Sequence, residues 1–463
     1  MDDFEQGSDG VRMPRVIGPM AGFTVVAGSM LGVGIFLFPS AVASETGSLL
    51  MFFLIWLLGG LFAYSGAVAC GELGAMLPKA GGDYVFQKEA YGDSVAFASG
   101  WVLFVTIFGG SIAGMAVAVF QYQISALSGL DMMANIAPGI PLQKANFFAV
   151  LLILLITAIN YAGTRIAART QILFTLIPIL FLIFLAGYAV LSGWSVRPDQ
   201  SIQIWDSSVS AGGVITAFLF VNFAYSGWLN IIYVAGEVKD PGRNIPKSMT
   251  WATVVVTVLY VLMCAAFVFS LGFEGLSSLK NMDAGTAMAR ALNSPVMANL
   301  VLITITVAIV TSLNATILTS ARVAFAMAKE RAFWAGAARL NKMKVPGRAL
   351  WVQAIFAIFL VLTGSFYAII EMASIAMFIT GSLTVLALFV LRVKQPNRFR
   401  PYKATGYPWL PVIYLLFSAV ALLGAVRQAF LTDGISGFYP FMGVAVLILA
   451  YIGHRFMSNR GIV

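Results

Sequence analysis

The chain has 463 residues, of which 60% are hydrophobic and only 10% are charged. Soluble domains carry about 25% charged residues, so this composition excludes a soluble protein. The formal net charge of +9 raises the question of nucleic acid. Its basic residues do not cluster with exposed aromatic residues as a nucleic-acid face requires, so we expect no nucleic-acid partner.

Twelve apolar runs follow one another along the chain, each close to the ~20 residues that a membrane-spanning helix needs. They predict an all-α integral membrane protein with twelve transmembrane helices, and the lipid bilayer as its surroundings. Their approximate limits are 17–44, 49–76, 96–126, 145–163, 169–192, 211–235, 248–272, 296–327, 350–368, 372–392, 409–428 and 437–454.

Spans one and six are interrupted helices. Glycines and a serine break the first at Gly28–Phe36, and the second is broken at Phe223–Trp228. In lipid, such a break is tolerated only where the freed backbone groups line a cavity or are buried in protein. A matching pair of breaks in the two halves of a chain indicates a transporter's substrate site. Close helix packing at Gly28-x-x-x-Gly32 is the alternative interpretation.

The two breaks offer complementary backbone groups. Unwinding near Gly32 and Gly34 exposes N–H groups at the positive end of a half-helix, which suits a substrate carboxylate. Unwinding at Phe223, Ala224 or Tyr225 exposes carbonyl groups, which suit a substrate ammonium group. The sequence therefore predicts that the backbone holds a zwitterion.

The positions of the breaks predict an inverted repeat. Spans one to five (17–192) and six to ten (211–392) each begin with a broken helix, and an odd number of spans gives the two units opposite orientations. Helices eleven and twelve (409–454) stand outside the repeat. Segment 1–16 and tail 455–463 flank the spans.

The basic residues predict the orientation. Of the 28 lysines and arginines, 23 fall on the side of the N-terminus. The other five are Lys144, Arg197, Lys280, Arg290 and Arg427. By the positive-inside rule both termini are cytoplasmic.

Few residues are available for catalysis or metal binding. His454 is the single histidine, and Cys70 and Cys264 lie inside apolar runs, which favours buried packing. We expect no enzyme, no catalytic residues, no cofactor and no metal. A channel is disfavoured because no filter or charged ring is visible. A membrane sensor that only binds amino acids stays open.

Charges within the spans are scarce. Glu72 and Glu237 lie at cytoplasmic helix ends, where an ion pair or helix-end role competes with proton carriage. No Asp, Glu, Lys or Arg is predicted at mid-membrane depth beside the breaks, so the pocket favours a neutral, apolar side chain. In span eight, Thr311, Ser312 and Thr316 offer hydroxyl groups for a coupling ion, or for hydrogen bonds between helices.

Four stretches resemble the amino acid–polyamine–organocation superfamily, and within it the L-type amino acid transporters. They are Gly28–Pro39, Gly71–Tyr84, Phe223–Pro246 and Arg400–Pro408. The resemblance implies a LeuT-type five-plus-five inverted repeat with discontinuous helices 1 and 6.

The same resemblance implies roles for individual residues. By position, Gly32, Val33 and Gly34 meet the substrate carboxylate and α-carbon, and Phe223 is an aromatic gate. The ammonium side is formed by Ala224, Ser226 and Gly227, and Trp228 borders the side-chain pocket.

The sequence departs from the family pattern at three places. Val33 replaces a frequent serine, so the carboxylate depends on N–H groups alone. Span five has no lysine around Pro178, which puts coupling through such a lysine in doubt. Leu229 follows the span-six tryptophan and Asn230 comes one residue later, so helical periodicity predicts that Asn230 points elsewhere.

These features together predict a secondary active or exchange transporter of neutral L-amino acids, working by alternating access across the plasma membrane, the inner membrane in a prokaryote. The alternatives are a cationic amino acid or polyamine exchanger of the same superfamily, and a non-transporting sensor. The sequence does not decide whether a coupling ion or a partner subunit takes part.

Overall fold

The computed structural model describes residues 13–138, 140–193, 209–279, 283–291, 294–363, 366–431, 438 and 441–459. Most of segment 1–16, the end of tail 455–463, and the basic residues Arg197 and Lys280 lie outside them. The described chain is almost wholly helical. One antiparallel hairpin, β1 (Asn135–Ala137) and β2 (Ile140–Gln143), precedes span four.

The helices follow the apolar runs of the sequence, with short extra helices in the loops. In chain order they are α1 (Pro19–Met30), α2 (Gly34–Thr46), α3 (Leu49–Met76), α4 (Asp83–Tyr91), α5 (Asp93–Ser128), α6 (Lys144–Tyr161), α7 (Thr164–Gly193), α8 (Ala211–Tyr225), α9 (Asn230–Tyr233), α10 (Pro241–Leu271), α11 (Phe273–Ser277), α12 (Ala284–Ala291), α13 (Pro295–Lys329), α14 (Gly347–Thr363), α15 (Phe366–Lys394), α16 (Trp409–Leu431) and α17 (Met442–Asn459).

Eight of the described helices are long and apolar enough to cross a membrane alone: α3, α5, α6, α7, α10, α13, α15 and α16. The pair α1 and α2 passes the same test together, with a bend of 40° at its break. Helices α8, α14 and α17 are apolar but shorter. Long α5 contains two π-helical stretches, Leu103–Phe108 and Val119–Ile124.

The broken first span lies at the centre of the molecule. Every residue from 24 to 40 is buried, and α1 packs against α7, α10 and α13 while α2 packs against α8. Helices that are apolar all round and buried on every side form a core. By contrast, α6 and α7 expose Leu151, Leu155, Leu180 and Phe184, as expected of helices that face lipid.

The two glutamates at helix ends are held in ion pairs. Glu237 pairs with Arg322 of α13 at 2.9 Å, and both side chains are fully buried. Glu72 of α3 pairs with Arg392 of α15 at 2.6 Å and lies 3.1 Å from Arg400. The ion-pair interpretation of both residues is therefore confirmed. Cys70 and Cys264 are free and buried, also as predicted.

Candidate functional site

The first break separates α1 from α2 at Leu31–Val33. A helix leaves its first N–H groups without intrahelical partners. At the start of α2 the N–H groups of Val33, Gly34 and Ile35 find no hydrogen-bond acceptor among the described residues. Three N–H groups at the positive end of a half-helix dipole are suited to an anion such as a carboxylate.

The second break separates α8 from α9 at Ser226–Leu229. Gly227 has a φ of +107°, a conformation that side chains with a Cβ rarely adopt. A Cβ here would also lie 2.7 Å from the Cβ of Ser29 in α1. Glycine at this position therefore permits both the unwinding and the close approach of the two broken spans.

Tyr260 of α10 joins the two breaks, and sequence reasoning missed it. Its hydroxyl contacts the carbonyl oxygen of Met30 at the first break and lies 2.9 Å from that of Ala224 at the second. A phenol has one hydrogen, so the two carbonyls share one donor. No sequence signal singles out this tyrosine, because it is one aromatic residue within an apolar span.

The carbonyl groups expected to hold an ammonium group are partly engaged. The carbonyl of Phe223 accepts from the N–H of Ser226 at 3.0 Å, and that of Ala224 from Tyr260. Among the described residues, the carbonyl of Tyr225 has no donor. Since a carbonyl oxygen has two lone pairs, all three retain capacity to accept.

One cavity, with about 850 Å³ of empty space that includes open solvent, lies between the breaks. Its lining includes all eight residues that the sequence assigned to the substrate: Gly32, Val33, Gly34, Phe223, Ala224, Ser226, Gly227 and Trp228.

Aromatic side chains form part of the cavity wall. Phe223 is 7% exposed and packs edge-on against Phe38 of α2, with ring centroids 5.8 Å apart. Trp228 packs against Tyr414 of α16 at the same separation. Both rings therefore border the cavity while packing against other helices.

The glycines of the first broken span also pack closely against other helices. Close helix packing, the alternative interpretation of these glycines, therefore holds for some of them. A Cβ at Gly34 would lie 2.4 Å from the Cα of Ala224, and one at Gly28 would lie 2.4 Å from side-chain atoms of Gln171 and Thr175. At Gly32 the nearest atom would be Ser312 Oγ at 3.1 Å. Substituting Gly34 therefore disturbs packing and does not test binding alone.

The prediction for Asn230 was wrong. Asn230 lines the cavity, and its Nδ2 donates to Ser29 Oγ of α1 at 2.6 Å. Helical periodicity fails here because the chain unwinds at Gly227 and α9 begins anew at Asn230. This amide ties the second broken span to the first.

Sequence reasoning also missed an acidic residue in the cavity wall. Asp83, the first residue of α4, lines the same cavity, is 1% exposed, and accepts from the hydroxyl of Tyr233 at 2.7 Å. In the sequence, Asp83 lies in the loop between spans two and three. Gly81 and Gly82, both with positive φ, turn that loop back into the protein.

The span-eight hydroxyls point in different directions. Ser312 and Thr316 line the cavity, whereas Thr311 donates to the carbonyl of Phe174 at 2.9 Å and lies outside the lining. The Ser312 hydroxyl donates to the carbonyl of Ser29 at 2.7 Å. These hydrogen bonds join α13 to α1 and α7.

In span five, buried polar groups lie beside the first break. The side chains of Gln171 and Thr175 donate to the carbonyl of Thr24 at 3.2 and 3.3 Å. Asn314 of α13 donates to Gln171 Oε1 at 2.7 Å. Neutral groups thus join α7 and α13 to α1.

Comparison with known proteins identifies the family. The chain belongs to the amino acid permease family, whose model matches residues 17–451. The proteins of this family carry amino acids across membranes and are not enzymes. The expected membership of the amino acid–polyamine–organocation superfamily, close to the L-type branch, is confirmed.

Three relatives show where in the family the chain lies. It is 28% identical to the large neutral amino acids transporter small subunit 2 of Mus musculus, over 97% of this chain and 83% of the relative. It is 29% identical to the serine/threonine exchanger SteT of Bacillus subtilis (strain 168), over 95% and 97%. It is 27% identical to the Asc-type amino acid transporter 1 of Mus musculus, over 96% and 82%.

Proposed function

We propose that this protein exchanges neutral L-amino acids across the plasma membrane by alternating access, with the substrate held in the cavity between the two breaks. The observation that carries this proposal is the meeting of both breaks in one cavity, with unpaired N–H groups of Val33 and Gly34 in its wall. Exchange is favoured because relatives over nearly the whole chain include an exchanger and neutral amino acid transporters.

The proposed architecture is the twelve-helix LeuT-type fold. Eight long helices and the bent pair account for nine spans, and the shorter α8, α14 and α17 supply the other three. The inverted repeats would then be 17–192 and 211–392, with 409–454 outside them. The distribution of basic residues supports cytoplasmic termini.

Each wall of the cavity has a proposed role. The N–H groups at Val33 and Gly34 hold the carboxylate. The carbonyl groups at the end of α8, with Ser226, hold the ammonium group. Phe223 closes over the ligand, and Trp228 borders its side chain. Because Val33 offers no hydroxyl group, the carboxylate depends on backbone N–H groups.

A cationic substrate is the second candidate, because Asp83 lies in the wall. A carboxylate there would pair with an ammonium or guanidinium group on the substrate side chain. The wall favours a neutral substrate side chain because it includes the apolar residues Met30, Met115 and Leu103. One oxygen of Asp83 is also occupied by Tyr233.

The test is counterflow in proteoliposomes loaded with unlabelled L-amino acid. We expect leucine, alanine, serine or threonine inside to accelerate entry of the labelled compound, with saturation. Acceleration by lysine, arginine or a polyamine alone would establish the cationic alternative. Ligand binding without any flux would establish a sensor, and flux without saturation a channel.

A further inference from the structure

Asp83 lacks a charge partner in the described part of the chain. Its Oδ2 accepts from Tyr233, while Oδ1 is buried and has no hydrogen-bond donor. Glu72 and Glu237, by comparison, each pair with arginine. A buried, unpaired carboxylate is strongly unfavourable unless it binds a cation or a proton.

The elements packed around Asp83 supply no cation. Cys70 of α3, Tyr233 of α9 and Tyr414 of α16 face it as titratable groups, with neutral Thr384 of α15 beside them. Within α4, the ammonium of Lys88 is committed to Asp93 at 3.1 Å and Glu330 at 2.5 Å. The N-terminal dipole of α4 and the hydrogen bonds from Tyr233 and Thr384 favour the charged form but do not neutralise it.

We propose that Asp83 is a proton-binding site of the transport cavity, occupied in acid when the cavity is closed towards the side of α4 and α9 and emptied when it opens to that side. The proposal rests on the proposed function, because opening and closing are steps of alternating access. The group that binds the proton is Oδ1, which is buried and has no hydrogen-bond partner of good geometry among the described residues.

Two hydrogen bonds join Asp83 and the loop before it to the second broken span. The hydroxyl of Tyr233, the last residue of α9, donates to Oδ2 at 2.7 Å. The N–H of Gly81 donates to the carbonyl of the same Tyr233 at 3.1 Å. Movement of α9 away from α4 breaks both bonds and admits water to Asp83.

The direction of the pH effect follows from this geometry. Burial raises the pKa of Asp83 to about 6, and the hydrogen bonds from Tyr233 and Thr384 lower it by less. Hydration in the open state returns the pKa towards its ordinary value. The closed state binds more protons, so acid stabilises it, and opening becomes easier as the pH rises through this range. The proton leaves to and returns from the same side, so exchange moves no net proton.

The experiment is an infrared titration of the full-length protein in lipid, followed by exchange measurements at the same pH values. We expect the carbonyl band of a protonated carboxylic acid to titrate above the ordinary aspartate range in the wild type. The band should be absent in Asp83→Asn and retained in Asp283→Asn. Asp283 is a matched control because it is also buried, but it caps α12 through Thr286.

Exchange gives the functional readout. We expect the wild-type exchange rate to rise by about threefold or more between about pH 5 and pH 8, because opening becomes easier as Asp83 ionises. The exchange rate of Asp83→Asn should not rise with pH and should stay near the rate that the wild type shows in acid. If Asp83→Asn does not fold, Tyr233→Phe serves instead. Losing the hydrogen bond that stabilises the ionised form should move the titration of the band to higher pH.

Two results would overturn the proposal. One is that no protonated carboxyl band depends on Asp83. The other is that added lysine abolishes the band at constant pH while leucine does not, which would assign Asp83 to a cationic substrate. Failure of the proposed function looks different: the wild type exchanges no amino acid at any pH while the infrared titration of Asp83 persists.

Discussion

At the residue scale, single hydroxyl and amide groups hold the two breaks together. Tyr260 reaches both breaks with one hydroxyl, and Asn230 and Ser312 reach Ser29 from two directions. In a buried site each of these polar groups is costly to leave unpaired. The conformation of the cavity wall therefore depends on a few side chains from α9, α10 and α13.

Replacing Tyr260 by phenylalanine tests this dependence. The change leaves two carbonyl groups at the breaks without their shared donor, at a cost of about 1–3 kcal/mol. We expect a lower melting temperature and loss of most exchange activity. Tyr91→Phe is the matched control, because its hydroxyl donates to the Leu383 carbonyl away from both breaks. Equal exchange by the two variants would contradict a role for Tyr260 at the breaks.

Replacing Phe223 by alanine tests the gate. The ring packs on Phe38 and borders the cavity, so its contacts contribute to closing over the ligand. We expect turnover to fall about tenfold or more, which is about 1.4 kcal/mol in the closing step, while the equilibrium Kd changes much less. The measurements are exchange rates in proteoliposomes and ligand titration of the detergent-purified protein. A variant that turns over at the wild-type rate would remove Phe223 from this role.

At the element scale, buried ion pairs fix the ends of helices that surround the site. Glu237 ends the short 3-10 turn Ala235–Glu237 that comes after α9, and Arg322 of α13 donates to its carboxylate and to the Thr164 hydroxyl at the start of α7. The backbone carbonyl of Glu237 accepts from Val16 and Ile17, which precede α1. One fully buried pair thus connects spans one, five, six and eight.

Replacing Arg322 by alanine leaves the Glu237 charge buried and unpaired. We expect a loss of about 3–5 kcal/mol of stability, read as a large fall in melting temperature. The control is Arg398→Ala, which removes a partly exposed pair with Glu89 and should cost at most about 1 kcal/mol. Comparable melting temperatures for the two variants would show that the buried pair does not hold the helices.

At the scale of the whole molecule, the structure bears on energy coupling. Span five lacks a lysine, and neutral Gln171 and Thr175 occupy the surface that meets α1. Of the span-eight hydroxyls, only Ser312 and Thr316 line the cavity. Proton carriage by Glu72 or Glu237 is disfavoured by their arginine partners. These features favour exchange over concentrative transport.

Ion gradients test the coupling directly. We expect neither a sodium gradient nor a pH gradient, imposed at zero membrane potential, to drive accumulation in proteoliposomes. Internal amino acid should accelerate uptake in both cases. Accumulation driven by sodium and lost in Ser312→Ala or Thr316→Val would establish a sodium site. Accumulation driven by the pH gradient and lost in Asp83→Asn would make the carboxylate a net proton carrier.

The sequence alone predicted the features that depend on local backbone chemistry and hydropathy. Apolar runs of sufficient length must become helices in lipid, so the helices fall where the runs do. Glycine and small polar residues weaken a helix, so the sequence predicted breaks at Gly28–Phe36 and Phe223–Trp228, and the structure has them at Leu31–Val33 and Ser226–Leu229. The eight residues assigned to the site come from these breaks, and they line one cavity for that reason.

Only the tertiary structure decided which groups from distant elements meet at the breaks. Tyr260 and Asp83 have no local signal, because depth and direction depend on how α10 packs and how Gly81 and Gly82 turn the chain inward. Asn230 was misplaced because helical phase does not continue through an unwound Gly227. Hydropathy and periodicity describe a chain along one axis. The contacts that complete the cavity are set by packing between helices that lie far apart in sequence.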